Sequence, residues 1–284
     1  MFKKIAILLE MIKFKLTIFA MPFAFMGAFL AGRGLPDLKT FFLVILAMIG
    51  ARTCAMGFNR IVDAKFDGAN PRTTGRAIPS GAVSRVEAWA MVIVAGGMFF
   101  LSAWLLNSLT LKLAPFALSL TLFYSITKRF TSFCHLVLGV ALAFSPLGGW
   151  VAVSGSLVFY PWALSAAVLF WVAGFDTVYA CLDAEFDRKT GLYSLPSTLG
   201  SKNAFRLAVV FHSIAFFLFA LTGVQAELNV FYYIGVVIAA VALFNQHRIV
   251  NPNDLSKIQV SFFSMNGFIS IVLFVATTIA LLTE

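Results

Sequence analysis

The chain has 284 residues, of which 61% are hydrophobic and 12% charged, and its formal net charge is +9. A soluble domain has about 45–50% apolar residues and about 25% charged ones, so a soluble fold, a disordered chain and a disulfide-stapled secreted scaffold are excluded. The apolar runs are continuous over about 20 residues, the length of a membrane-spanning helix, which also disfavours a barrel whose strands alternate polar and apolar.

What remains is an all-α membrane protein. At the start, Lys3, Lys4, Glu10, Lys13 and Lys15 interrupt the apolar run before any plausible cleavage site. The segment reads as a short amphipathic helix on the membrane surface rather than a signal peptide. About nine transmembrane helices follow, at residues 14–32, 38–58, 86–106, 110–126, 134–154, 161–181, 204–223, 228–246 and 262–282. Together they form one polytopic domain over residues 1–284, with long polar connections at 60–85 and 182–202. Of the 21 Lys and Arg, only Arg33, Lys39 and Lys112 fall on the side opposite the N-terminus. The positive-inside rule then puts the N-terminus in the cytoplasm, in an inner (cytoplasmic) membrane. The bases are spread over several loops, so the positive charge calls for no nucleic-acid partner. Cys54, Cys134 and Cys181 lie in or beside apolar runs and make no close-spaced ligand pattern with His135, His212 or His247. They read as packing residues.

The acidic residues carry the chemistry. Asn59-Arg-Ile-Val-Asp63-Ala-Lys-Phe-Asp67 ends the second span, and Tyr179-Ala-Cys-Leu-Asp183-Ala-Glu-Phe-Asp187 ends the sixth. In each, the i, i+4, i+8 spacing places three side chains on one helix face, and Asp176 shares the second face two turns deeper. The recurrence four spans later suggests an internal repeat of four helices. Like charges one turn apart destabilise a helix, and acids at a membrane boundary are costly. Two such sets call for a compensating cation. Mg²⁺ fits, because it takes one or two carboxylates together with substrate phosphates. Asp63, Asp67, Asp183 and Asp187 are its expected ligands, with a diphosphate between the two pairs.

The next segment, Asn70-Pro-Arg72-Thr-Thr-Gly-Arg76-Ala-Ile-Pro79-Ser-Gly81, sets two arginines in a proline–glycine frame. Their forked guanidinium groups suit phosphate oxygens. Lys128 and Arg129 add two cations on the same side. Arg52, seven residues before Asn59, lies two turns deeper on nearly the same face, where it is placed to receive a second anion. Transport of an anionic metabolite or a divalent cation is the rival class. Transporters place their sites near the midplane on broken helices, whereas both acidic sets here end helices on one side.

These motifs resemble the UbiA-type membrane prenyltransferases, which transfer a polyprenyl chain from its diphosphate to an aromatic ring. The matching pieces are Asn59-x-x-x-Asp63-x-x-x-Asp67, Asn70-Pro-Arg72-Thr-x-x-Arg76-x-Ile-Pro79-x-Gly81, Tyr124-x-x-x-Lys128-Arg129-Phe-Thr131, and Asp176-Thr-x-Tyr179-Ala-x-x-Asp183-x-x-x-Asp187 with Gly191 and Ser194. The resemblance implies Mg²⁺ as cofactor, a polyprenyl diphosphate held by Asn59, Arg72, Arg76, Lys128 and Arg129, and an aromatic acid held by Arg52. It implies chemistry at Asp63, Asp67, Asp183 and Asp187, with Tyr179 facing an allylic cation and Asp176 a candidate base. The pieces look most like the 4-hydroxybenzoate branch that serves ubiquinone. Gly191-Leu-Tyr-Ser-Leu-Pro196 and Pro146-Leu-Gly-Gly-Trp150 look more like relatives that prenylate a dihydroxynaphthoate for menaquinone. Phe186 separates Glu185 from Asp187 where many 4-hydroxybenzoate enzymes have adjacent acids, so both acceptors stay open.

Overall fold

A computed structural model describes residues 2–13, 17–252, 254–258 and 264–283. Helix α1, Phe2–Met11, precedes a series of apolar helices: α2 Thr17–Gly32, α3 Leu38–Val62, α5 Arg85–Leu106, α6 Ser108–Thr127, α7 Cys134–Ser154 and α8 Trp162–Ala180. After these come α11 Ser201–Gln225, α12 Val230–Ile249 and α13 Asn266–Leu282. The short helices α4 Ala64–Ala69, α9 Ala184–Thr190 and α10 Leu195–Leu199 fill the two long polar connections. Among the described residues there is no β-strand, only an isolated bridge between Asn251 and Asp254.

Each expected span coincides with a helix, the sixth starting one residue and the eighth two residues later than expected. The starts expected for the first and ninth, residues 14–16 and 262–263, lie outside the described residues. Among the described residues, seven helices are long and apolar enough to cross a bilayer, whereas α2 and α13 are shorter. Phe42, Trp104, Phe217 and Phe244 are exposed on the outer surface, as side chains bathed in lipid would be. The chain is an all-α helix-bundle membrane protein.

Helix ends are set by local chemistry. Asp37 accepts the amide N–H of Thr40 at 3.0 Å, and Ser84 with Glu87 closes a capping box at the start of α5. Asn107 caps α6 through Thr110 and donates to the carbonyl of Val151 at 2.8 Å, tying α6 to α7. Each apolar helix packs on the next, and α13 packs back on α2. The ring closes around an interior that contains Phe23, Trp171, Phe219 and Tyr232.

The acidic ladders differ from the expected single helix faces. α3 ends at Val62 with Asp63 as its cap, and α8 gives way to a 3₁₀ turn over Cys181–Asp183. Each ladder therefore crosses a helix break. Tightened turns are common where the last carbonyls of a helix lose their partners.

Across the ring, α2 and α7 meet backbone to backbone. A Cβ at Gly27 would overlap the carbonyl of Pro146, and one at Gly149 would overlap the carbonyl of Ala24. Small residues allow this close approach, which drives helix association in membranes. Gly149→Val should therefore cost at least the roughly 1–3 kcal/mol of overpacking. It should lower the thermal unfolding midpoint in detergent. Gly97→Ala, where the added methyl meets nothing within 4 Å, should leave the midpoint unchanged or raise it.

Candidate active site

The inner face of α3 lines a cavity of about 480 Å³ with Val44, Met48, Arg52, Asn59 and Asp63. From α6 and its cap come Leu113, Leu118, Tyr124 and Lys128, and from α8 and the turn after it Val168, Trp171, Asp176, Tyr179 and Asp183. Each helix thus begins apolar and ends charged, and the charged ends coincide. At 1.5 Å per residue, Arg52 lies roughly 10 Å below Asn59 along α3. The cavity has a polar mouth and an apolar body.

At the mouth the two acidic sets meet through the loop after α4. Arg72 forks onto Asp183, its Nε donating to Oδ1 at 2.8 Å and its Nη2 to Oδ2. Asn70 donates to the same Oδ1 at 2.9 Å, while its own Oδ1 accepts the Arg72 amide N–H at 2.9 Å. Arg72 also sits over the Tyr179 ring, 5.7 Å from its centroid. Burial works against the Arg72 charge, and Asp183 more than offsets this, holding its pKa above the ordinary value.

The other carboxylates are also engaged. Asn59 Nδ2 donates to Asp63 Oδ2 at 3.0 Å, and Arg129 Nη2 lies 3.4 Å from Asp63 Oδ1. Burial pushes the Asp63 carboxyl up, opposed by the charges of Lys128 and Arg129. Arg76 Nη1 donates to Asp67 Oδ1 at 2.6 Å. Ser194 donates to Asp187 Oδ2 at 3.0 Å, made possible by Gly191, whose φ of 72° turns the chain back after α9. The charge of Lys128 acts on Asp63, Asp183 and Asp187 alike.

Arg52, Asn59, Asp63, Arg72, Arg76, Lys128, Asp176, Tyr179, Asp183 and Asp187 all line this cavity. Asp67 and Arg129 are not in its wall, and they reach it through Arg76 and Asp63. Glu185 is exposed and pairs with Lys189, away from the site. Four polar contributors were not assigned from the sequence: Asn70, Ser194, His135 and Arg60. Asn70 had a signal, since an Asn before Pro favours a turn. Arg60 stands at the start of the polar connection expected at 60–85. It is buried, donating to the Met11 carbonyl at 3.1 Å and to Asn59 Oδ1 at 3.2 Å.

Arg52 Nε and Asp67 Oδ2 are among the buried atoms that lack a hydrogen-bond partner among the described residues. No group of three or more His, Cys, Asp or Glu side chains is arranged to hold a metal among the described residues. The site offers hard carboxylate oxygens in ones and twos.

The family model for the UbiA prenyltransferase family matches residues 20–272. The chain belongs to the UbiA prenyltransferase family. A UbiA homolog from Aeropyrum pernix K1 is 36% identical and superimposes with a TM-score of 0.86, over 93% of this chain and 98% of that one. The 4-hydroxybenzoate octaprenyltransferase of Stutzerimonas stutzeri (strain A1501) is 34% identical over 211 residues, 74% of this chain and 71% of the relative. A UbiA homolog from Archaeoglobus fulgidus bound to DMAPP and Mg²⁺ shares the fold, with a TM-score of 0.69 at 19% identity over 94% of this chain and 98% of that one.

In this UbiA family member the Arg76–Asp67 pair should stabilise the loop. Removing one partner of a buried pair strands the other. The double change Asp67→Asn with Arg76→Gln should thus lower stability by less than the two single changes add up to. Thermal unfolding of the two single variants and the double should give a coupling of about 1 kcal/mol or more.

Proposed function

We propose that the protein transfers a polyprenyl chain from its diphosphate to an aromatic acid of the 4-hydroxybenzoate type, in quinone biosynthesis. The observation that carries this reading is the shared polarity of α3, α6 and α8. A charged mouth over an apolar body complements a diphosphate head on a hydrocarbon tail. The relatives named 4-hydroxybenzoate octaprenyltransferase support the same reaction class. All nine apolar helices cross the inner membrane, with the N-terminus and the polar mouth at the cytoplasm, as the Lys and Arg bias requires. The chain is one domain containing a four-helix repeat.

The site fits Mg²⁺. Its donors are carboxylates, Asp67 Oδ2 is buried without a partner, and Mg²⁺ completes its shell with phosphate and water rather than a full protein cage. Asp63 would hold it with Asp67, once Arg76 turns from Asp67 to the phosphates, and Asp183 would hold it with Asp187. When bound, it withdraws charge from the diphosphate and so makes it a better leaving group. Arg72, Arg76 and Lys128 orient the phosphates and take up the charge that develops on the leaving oxygens. Asn59 anchors Asp63 and reaches the same group. The Tyr179 ring faces the allylic carbon as it turns cationic, an attraction of about 1–2 kcal/mol in a dry site. Arg52 holds the acceptor carboxylate with its fork and sets the ring beside that carbon. Asp176 removes the ring proton.

The Gly191–Pro196 and Pro146–Trp150 segments favour a second acceptor, a 1,4-dihydroxy-6-naphthoate-type acid. It also carries a carboxylate for Arg52. Purified protein given a labelled prenyl diphosphate and each acid in turn distinguishes them. Product with neither acid would refute the assignment to aromatic acids.

Asp63→Ala and Asp183→Ala should abolish turnover while the protein stays folded in detergent, and added Mg²⁺ should restore neither. Near-normal activity in Asp63→Ala would sink the metal assignment. Arg52→Ala should raise the acceptor KM and leave the donor KM unchanged. Acceptors lacking the carboxylate should be poor substrates of the wild type, and equal use of both kinds would refute the role of Arg52.

A further inference from the structure

We propose that His135 is the positioning residue for the base that deprotonates the acceptor ring. This rests on the reading of Asp176 as that base. His135 stands in the first turn of α7, is buried, and lines the cavity beside Asp176. Its Nδ1 lies 2.7 Å from Asp176 Oδ2, and the backbone N–H of Leu195 donates to its Nε2 at 3.3 Å.

The second contact fixes the first. A backbone N–H can only donate, so Nε2 is the acceptor and the ring proton sits on Nδ1, aimed at Asp176. Asp176 therefore receives a hydrogen bond on Oδ2, with Oδ1 left to take a proton. Because Leu195 occupies Nε2, the ring has no second acceptor through which to relay that proton. His135 orients and does not shuttle. Leu195 opens α10 directly after Ser194, which bonds Asp187. One short helix thus registers the base against the second acidic set.

The step balances without a further reactant. After the allylic carbon bonds to the ring, the ring is a cation with one tetrahedral C–H. The electrons of that C–H bond return to the ring and restore aromaticity. The proton goes to Asp176 Oδ1 and leaves to water afterwards.

Two amides separate this role from simple capping of α10. His135→Asn keeps an N–H donor near the Nδ1 position and loses the acceptor for Leu195. His135→Gln keeps a group near Nε2 and loses the donor to Asp176. The variants and Asp176→Asn are assayed in detergent with geranyl diphosphate and whichever of the two acids the wild type uses. Asp176→Asn should lower kcat by roughly 100-fold or more, the contribution of a general base. His135→Gln should lower kcat by about 10- to 100-fold, the scale of a misplaced group, with donor KM unchanged. It should also show a primary isotope effect with ring-deuterated acceptor that exceeds the wild-type effect. His135→Asn should remain close to wild type in kcat.

Normal kcat in Asp176→Asn overturns the base and this proposal together. Loss in Asp176→Asn with normal kcat in His135→Gln leaves the base standing and overturns the role of His135. A normal Gln variant with an Asn variant of lowered melting temperature identifies a capping residue only. If His135→Gln does not fold, His135→Asn decides. Normal kcat supports positioning, and a loss of kcat with no added isotope effect overturns it.

Discussion

Carboxylates at the end of membrane helices have to be neutralised, and the arrangement of the mouth follows from that need. Removing one member of a buried pair costs several kcal/mol, because the other is stranded. Here the cations come from elsewhere in the sequence. Arg72 and Arg76 come from the loop after α4, and Lys128 and Arg129 from the end of α6. Asp183 takes two donors from the first half of the chain, Arg72 and Asn70. The same contacts that balance charge therefore join the two acidic sets and give the loop its shape.

The wall below the mouth depends on a different kind of contact. α2 and α7 touch through backbone at Gly27 and Gly149, which leaves little room for adjustment on that side. The neighbouring helix α6 is fastened at one end by Asn107 on the Val151 carbonyl and at the other by the Tyr193 N–H on the Lys128 carbonyl. The charged end of α6 is thereby held in register with those of α3 and α8. Arg52 brings a charge into the mostly apolar body of the cavity, its Nε unpartnered among the described residues.

The helices were legible in the sequence because a bilayer core permits no unpaired backbone, so spanning segments must be long, apolar and helical. The breaks at Asp63 and Cys181–Asp183 were not. An i, i+4, i+8 pattern reads the same whether or not a tightened turn lies within it. The candidate residues were mostly legible too, since charged groups stand out against an apolar background. Asp67 was placed in the site by its spacing, but it lies behind the wall because Arg76 folds back onto it, a contact made by the turns between them. His135 was given no role, since its partner Asp176 sits on another helix and nothing local links them.

The pairing of Arg72 with Asp183 has a consequence for release. An arriving diphosphate offers phosphate oxygens in exchange for a carboxylate, an anion for an anion, so the net gain at the head group is a small difference between two similar bonds. Most of the affinity must then come from the tail, at about 0.8 kcal/mol for each buried methylene. Under the proposed reaction, transfer moves the tail onto the acceptor and leaves the pyrophosphate with its head-group contacts alone. Asp183 then competes on nearly equal terms for Arg72. The resting ion pair acts as a built-in competitor, which the intact donor outbids through its hydrocarbon and the spent one cannot.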